Sequence, residues 1–261
     1  MSERHPYLDW PGPIAFAHRG GTSVAPENTL PAFVHAVGLG YRYLETDVHL
    51  SADGALVAFH DTDLTRTCGI DRRIADLTVE QLAEIRVGGE AEIPLMSDLF
   101  ERFPTTRFNI DCKSDAAVGP LSRLIRDHDA LDRVCIGSFS HDRLTRMRRE
   151  LGSGLLTCAS PPEVAALRFT GRIPARLGRG VQRVAQVPLR YGRRAGGRRG
   201  LTVVTPGFVR AAHRHGVPVH VWTINEADQM HRLLDLGVDG MMTDRPEILR
   251  DVLRARDQWY E

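Results

Sequence analysis

PGFVRAAHRHGVPVHVWTINEADQMHRLLDLGVDGMMTDRPEILRDVL, residues 206–253, decides the fold class. Pro206 opens a helix that runs to His215 and stops at Gly216, the usual Pro-first, Gly-after asymmetry of helix ends. Val217–Trp222 is a short apolar run and reads as a buried strand. Asn225–Leu236 is helical and ends at Gly237. Val238–Thr243 is a second strand, and Asp244 is expected to cap a last helix, Pro246–Leu253. Strands alternating with helices at this spacing argue for βα units and a parallel sheet.

The same rhythm runs back to the start of the chain. Strands are expected at Ile14–His18, Tyr43–Val48, Arg107–Cys112, Arg133–Gly137 and Gly154–Cys158. A helix follows the first strand from Thr29 to Gly40, with Leu30, Phe33, Val34 and Val37 on one face. Thr78 and Gln81 form a capping box for a short helix carrying Leu82 and Ile85, and Ser97 starts another helix through Phe103. With 261 residues, the α/β pattern fits one domain over residues 1–261, a somewhat irregular (β/α)8 TIM-type barrel. Nine apolar runs compete for eight places. Either Val181–Val187 is irregular, or Ala55–His60, which follows the turn signal Ser51-Ala52-Asp53-Gly54, is a hairpin partly outside the barrel. An Arg-, Gly- and Pro-rich stretch around residues 165–200 reads as an excursion before the late βα units.

The formal net charge of +1 gives no electrostatic reason to expect a nucleic-acid partner. The four cysteines are widely spaced without a CxxC pair; Cys112 and Cys135 fall inside strands and read as small buried apolar residues. Residues 1–12 have no apolar core of a signal peptide, so a cytoplasmic location is expected. No motif specifies an oligomeric state. No acid occurs between Glu163 and Glu226, so the arginines of Arg168–Arg199 are either a solvated loop or a weak contact for an anionic membrane.

Ionisable residues cluster at strand ends, where (β/α) barrels keep their chemistry: His18, Glu45 and Asp47, His60, Asp111 and Lys113. Glu45 and Asp47 are two apart on a strand and share a face. Two adjacent carboxylates need a proton or a cation between them, or arginine partners at the rim. Asp111 and Lys113 repeat the parity. Three carboxylates without cysteine favour a hard divalent ion, Mg²⁺ or Ca²⁺. Lys113 is the only lysine in the chain, an ammonium where every other basic side chain besides histidine is arginine. Arg19 offers a fork of donors to phosphate, and Gly20-Gly21 lets backbone N–H groups approach an anion. His49 shares the parity of Glu45 and Asp47 but is expected beyond the strand end. A lysine at a barrel strand end also admits a Schiff-base reading, which leaves the three acids unexplained.

Taken together, these segments resemble the glycerophosphodiester phosphodiesterase family. The resemblance rests on AHRGGTSVAPENT (His18, Arg19, Gly20, Pro26 to Thr29) and LETDVHLSADGALVAFHD (Glu45, Asp47, Asp53-Gly54, His60-Asp61). LTRTCG with Arg66-Thr67, NIDCKSD, Ser138-Phe139, HVWTIN and DGMMTDRP extend it over nearly the whole chain. It implies a TIM-barrel phosphodiesterase that hydrolyses glycerophosphodiesters to glycerol 3-phosphate and an alcohol. It implies one divalent cation held by Glu45, Asp47 and Asp111, acid and base work by His18 and His60, and substrate contacts from Arg19, Lys113 and Trp222. Glu27 and Asn28 would shape the first loop. Asp111 stands where the family usually has Glu, one methylene longer. The resemblance also admits lysophospholipase D-type activity at a membrane surface, or a barrel that binds diesters without turnover.

Overall fold

A computed structural model describes residues 4–172, 182–192 and 200–261. Eight parallel strands close into a barrel: β1 (Ile14–His18), β2 (Tyr43–Leu50), β3 (Arg107–Cys112), β4 (Val134–Gly137), β5 (Leu156–Cys158), β6 (Arg183–Pro188), β7 (Val219–Trp222) and β8 (Gly240–Thr243). Each pairs with the next in chain order, and β8 pairs with β1 through Ile14 and Gly240. The longer helices between and after them are α1 (Leu30–Gly38), α2 (Met96–Arg102), α3 (Val118–Asp127), α4 (His141–Leu151), α5 (Pro161–Thr170), α6 (Pro206–Arg214), α7 (Ala227–Asp235) and α8 (Pro246–Arg254).

The competition among nine runs resolves in favour of the hairpin. Leu56–Ala58 pairs antiparallel with the end of β2, Val48 opposite Ala58, and lies outside the closed ring. It opens an insertion between β2 and α2 with its own apolar cluster, including Val57, Phe59, Leu64, Ile74, Leu77 and Leu82. The capping box forms there, Gln81 N–H to Thr78 Oγ1 and Thr78 N–H to Gln81 Oε1. The Arg-rich stretch is only in part an excursion: Arg168 belongs to α5, and Arg183–Pro188 is the sixth barrel strand. Residues 173–181 and 193–199 of that stretch, Val181 among them, lie outside the described residues. Among the described residues no helix is long and apolar enough to cross a membrane.

Two apolar layers follow from the two-residue period of the strands. Ala15, Ala17, Leu44, Val48, Phe108 and Ile110 face the helices. Ile14, Phe16, Tyr43, Cys135, Leu156, Val184 and Met242 fill the barrel interior, joined by Tyr7 and Leu8. Tyr43 donates its hydroxyl to the Tyr7 carbonyl at 2.7 Å, so the segment before β1 is tied to the barrel lining. Cys112 and Cys135 are fully buried, as small apolar residues would be. The apolar face of α1 differs from the expected one: Ala32, Phe33 and Ala36 are buried, whereas Leu30 and Val34 are 40% and 42% exposed. Phe33, and Val37 in part, pack on the core as expected, while Ala32 and Ala36 take the inward places expected for Leu30 and Val34.

His220 belongs to the interior layer, fully buried, its ring 5.0 Å from that of Phe16. Neither ring nitrogen has a hydrogen-bond partner among the described residues, and burial lowers its pKa to about 4. The unfolded chain therefore takes up the proton first. The neutral imidazole's contribution is complete above about pH 6.5 and is lost as pH falls toward 4. Between pH 7 and 4.5 this group should cost the fold roughly 2–3 kcal/mol. Urea denaturation at the two pH values should show that much less acid sensitivity in His220→Leu than in the parent. Equal sensitivity would mean that His220 is not the titrating group.

Candidate active site

The interior face of β2 changes character along the strand. Tyr43 belongs to the apolar layer; Glu45 and Asp47, on the same parity, emerge above it at the C-terminal end. Register places His18 beside Glu45, Glu45 beside Asn109, and Asp47 beside Asp111. These residues, with Arg19, His60 and Lys113, line a cleft of about 590 Å³. The opposite wall is largely apolar and includes Phe139, Val164, Phe169, Val203 and Trp222. The Trp222 ring meets Phe139 edge-on at 5.9 Å.

Asp47 is the most heavily contacted of the acids. Lys113 Nζ lies 2.8 Å from its Oδ1, Arg19 Nε lies 3.2 Å from its Oδ2, and Asn28 Nδ2 donates to Oδ2 at 3.1 Å. Burial pushes its pKa up, but Lys113 and Arg19 outweigh this and hold the carboxyl below its ordinary value. Lys113 Nζ also donates to Asp111 Oδ2 at 2.7 Å. Burial pulls the ammonium's pKa down, and Asp111 and Asp47 more than reverse that. Glu45 is less well compensated. It accepts the Arg19 backbone N–H at 3.1 Å and lies 3.7 Å from His18 Nε2. Burial, and then Asp47, push its pKa up.

The two imidazoles are each held by a carboxylate. His18 Nδ1 donates to Asp244 Oδ1 at 2.6 Å, which leaves Nε2 on the Glu45 side. Burial lowers the His18 pKa, but Glu45 and the Asp244 bond carry it above its ordinary value. His60 Nδ1 donates to Asp61 Oδ1 at 2.6 Å.

Two sequence expectations need correction. Asp244 does not cap the last helix: Arg245 is the residue before α8, without a side-chain cap bond. Asp244 instead holds His18, and Asn225 Nδ2 donates to its other oxygen at 2.9 Å. The TDRP run and Asn225 carried this signal, but a capping acid and a histidine-orienting acid look alike in sequence. His49 is not beyond the strand end. It lies within β2, is buried, and donates Nε2–H to the His60 carbonyl at 3.0 Å, so it supports His60 from beneath.

The first loop is locked by left-handed backbone. Arg19 and Asn28 have φ of 54° and 56°, and Gly20 follows at 82°. A Cβ on Gly20 would fall 2.9 Å from the Ala32 carbonyl carbon, so the tight turn into the anion-facing loop needs glycine. Asn28 tolerates its conformation and uses both ends of its amide, accepting from Thr46 Oγ1 at 2.8 Å and donating to Asp47. Asn28→Ala should lose about 2–3 kcal/mol by urea denaturation, and Asn28→Gly about 1 kcal/mol less, because glycine accepts the positive φ. Equal losses would show that the backbone conformation contributes nothing.

A closed (β/α)8 ring with its charge gathered at the strands' C-terminal ends defines a barrel of the enzyme type. The model of the "Glycerophosphoryl diester phosphodiesterase family" matches residues 18–248, and the chain belongs to that family. It is 38% identical over 259 residues to "Probable glycerophosphodiester phosphodiesterase 2" of Mycobacterium tuberculosis, covering 97% of this chain and 95% of the relative. It is 30% identical to "Glycerophosphodiester phosphodiesterase" of Caldanaerobacter subterraneus subsp. tengcongensis, over 92% and 98% of the two chains. In fold it is similar to the crystal structure of the "Putative glycerophosphoryl diester phosphodiesterase" of Silicibacter pomeroyi DSS-3, with TM-score 0.82, 23% identity, and 99% and 100% of the chains covered. It is also similar in fold to an Oleispira antarctica phosphodiesterase solved in complex with the product sn-glycerol-3-phosphate (TM-score 0.75, 22% identity, 93% and 97% covered).

Proposed function

We propose that the chain hydrolyses glycerophosphodiesters to glycerol 3-phosphate and an alcohol. The observation that supports this most is the pairing of two carboxylate-held imidazoles, His18 and His60, with Arg19 and Lys113 in one cleft. The names of the two curated relatives agree with it. Arg19 and Lys113 supply fixed positive charge where negative charge grows on the phosphoryl oxygens. One imidazole takes the proton of the attacking hydroxyl, from water or from the glycerol 2-position, and the other gives a proton to the departing alkoxide. Their fixed Nδ1–H bonds leave Nε2 of each ring for that work. An internal attack would give a cyclic phosphate that water then opens; both routes end in the same products. Trp222 walls the substrate end of the cleft.

The donor set also fits a hard divalent cation, Mg²⁺ or Ca²⁺. Three acids face the two side-chain cations Arg19 and Lys113, Glu45 is short of positive charge, and Asp111 Oδ1 is buried without a partner among the described residues. Lys113 bridges Asp47 and Asp111, and among the described residues no three acidic, histidine or cysteine side chains form a ready-made ion cage. Glu45, Asp47 and Asp111 would hold the ion, with Asp111 Oδ1 an unpartnered donor atom among the described residues. When bound, such an ion neutralises charge on a non-bridging phosphate oxygen.

His18→Ala and His60→Ala should each lower kcat by about 10²–10⁴-fold, read as released glycerol 3-phosphate, with a cooperative thermal unfolding transition retained. A variant within a factor of a few of the parent would remove that histidine from the reaction. Excess chelator should abolish turnover, and added Mg²⁺ or Ca²⁺ should restore it. Full activity in chelator would sink the cation.

A further inference from the structure

Behind the cleft, the insertion between β2 and α2 carries one side chain that the mechanism above leaves unused and that joins the acids holding His60 and Arg19. Arg66 sits on the short helix Thr65–Cys68, next to Leu64, which is fully buried in the insertion's own apolar cluster. Its guanidinium takes two carboxylates from different loops. Nε donates to Asp61 Oδ2 at 2.5 Å. Nη1 and Nη2 donate to Glu27 Oε2 and Oε1 at 3.0 and 2.6 Å. Asp61 is the acid that holds His60. Glu27 also accepts from Arg19 Nη1 at 2.9 Å, and Arg19 lies against Asp47. A continuous line of charge-assisted contacts therefore runs from His60 through Asp61, Arg66, Glu27 and Arg19 to Asp47.

We infer that Arg66 is a positioning residue, fixing His60 on the insertion side and Arg19 on the β1 side in one mutual arrangement. The inference rests on the roles given to His60 and Arg19 under the proposed function. Planarity is the physical reason for arginine: one rigid fork can bond Glu27 in bidentate fashion while its Nε serves Asp61. An ammonium has no such fork. Arg66 is 49% exposed at its side chain, so these pairs contribute little to global stability. Without the guanidinium, Glu27 and Asp61 repel, and each is free to release the group it orients. Burial raises the pKa of both acids, and Arg66 helps to bring both below their ordinary values, so they remain ionised acceptors at neutral pH.

The test combines kinetics on a glycerophosphodiester that the parent enzyme turns over with a thermal melt. Arg66→Ala should lose about 10–100-fold in kcat, the scale of a misplaced catalytic group, with the melt nearly unchanged. Arg66→Lys should recover less than half of that loss on a logarithmic scale. Paired with Asp61→Asn, and separately with Glu27→Gln, Arg66→Ala should cost less than the product of the single effects, because each pair breaks the same line. Three results would overturn the inference: Arg66→Ala within twofold of the parent, full rescue by lysine, or purely multiplicative double variants. If the parent turns over no glycerophosphodiester, the proposed function fails instead. The clamp is then judged by ¹⁵N NMR of the His60 ring, where Arg66→Ala should deplete the Nδ1–H form and an unchanged tautomer would refute it.

Discussion

Everything at the C-terminal end of this barrel depends on how the buried acids Glu45 and Asp47 are compensated. Asp47 is neutralised by Lys113 and Arg19 and accepts a hydrogen bond from the Asn28 amide. An unpaired carboxylate at that depth would cost several kcal/mol or give up its charge. The surrounding architecture is built to deliver those partners. Left-handed turns at Arg19 and Asn28 bend the first loop over β2, and the register of β3 sets Asp111 level with Asp47. Glu45 is the member left short, and that imbalance makes the site receptive to a further positive charge.

Cooperation between two differently built walls follows from that arrangement. The charged wall comes from β1, β2, β3 and the insertion; the apolar wall comes from α5, the segment around Val203, and the ends of β4 and β7. A phosphodiester has a compact anionic centre and two uncharged linkages, and a cleft divided in this way separates those demands. The insertion has its own apolar cluster, so it can carry His60 to the rim without drawing on the barrel core.

Much of this was readable before any coordinates. Apolar runs and Gly or Pro helix ends place seven of the eight barrel strands, Ile14–His18 and Arg107–Cys112 to the residue, and leave only Val181–Val187 open. The shared parity of Glu45 with Asp47 put both in the interior. Long-range partners were not readable. Asp244 sits 226 positions from His18, and at its own locus it looks like any helix-capping acid. His49 looks as if it lies past the strand end in sequence because only pairing with the hairpin, a tertiary effect, extends the strand to Leu50. On α1 the sequence marks Phe33 and Val37 correctly, but Ala32 and Ala36 are too weakly hydrophobic to mark the rest of the buried face. The choice between eight and nine strands required knowing which run closes the ring, and only pairing supplies that.

Lys113 has an implication for handling the protein at the bench. It is the single lysine of the chain, and two carboxylates clasp its ammonium. Acylating and carbonyl reagents are attacked by the free-base amine, a form those neighbours suppress by favouring the protonated ammonium. Cross-linkers, dyes and surface-coupling chemistries aimed at lysine therefore find one sheltered address, and a reagent that did reach it would report on the cleft rather than on the protein's exterior.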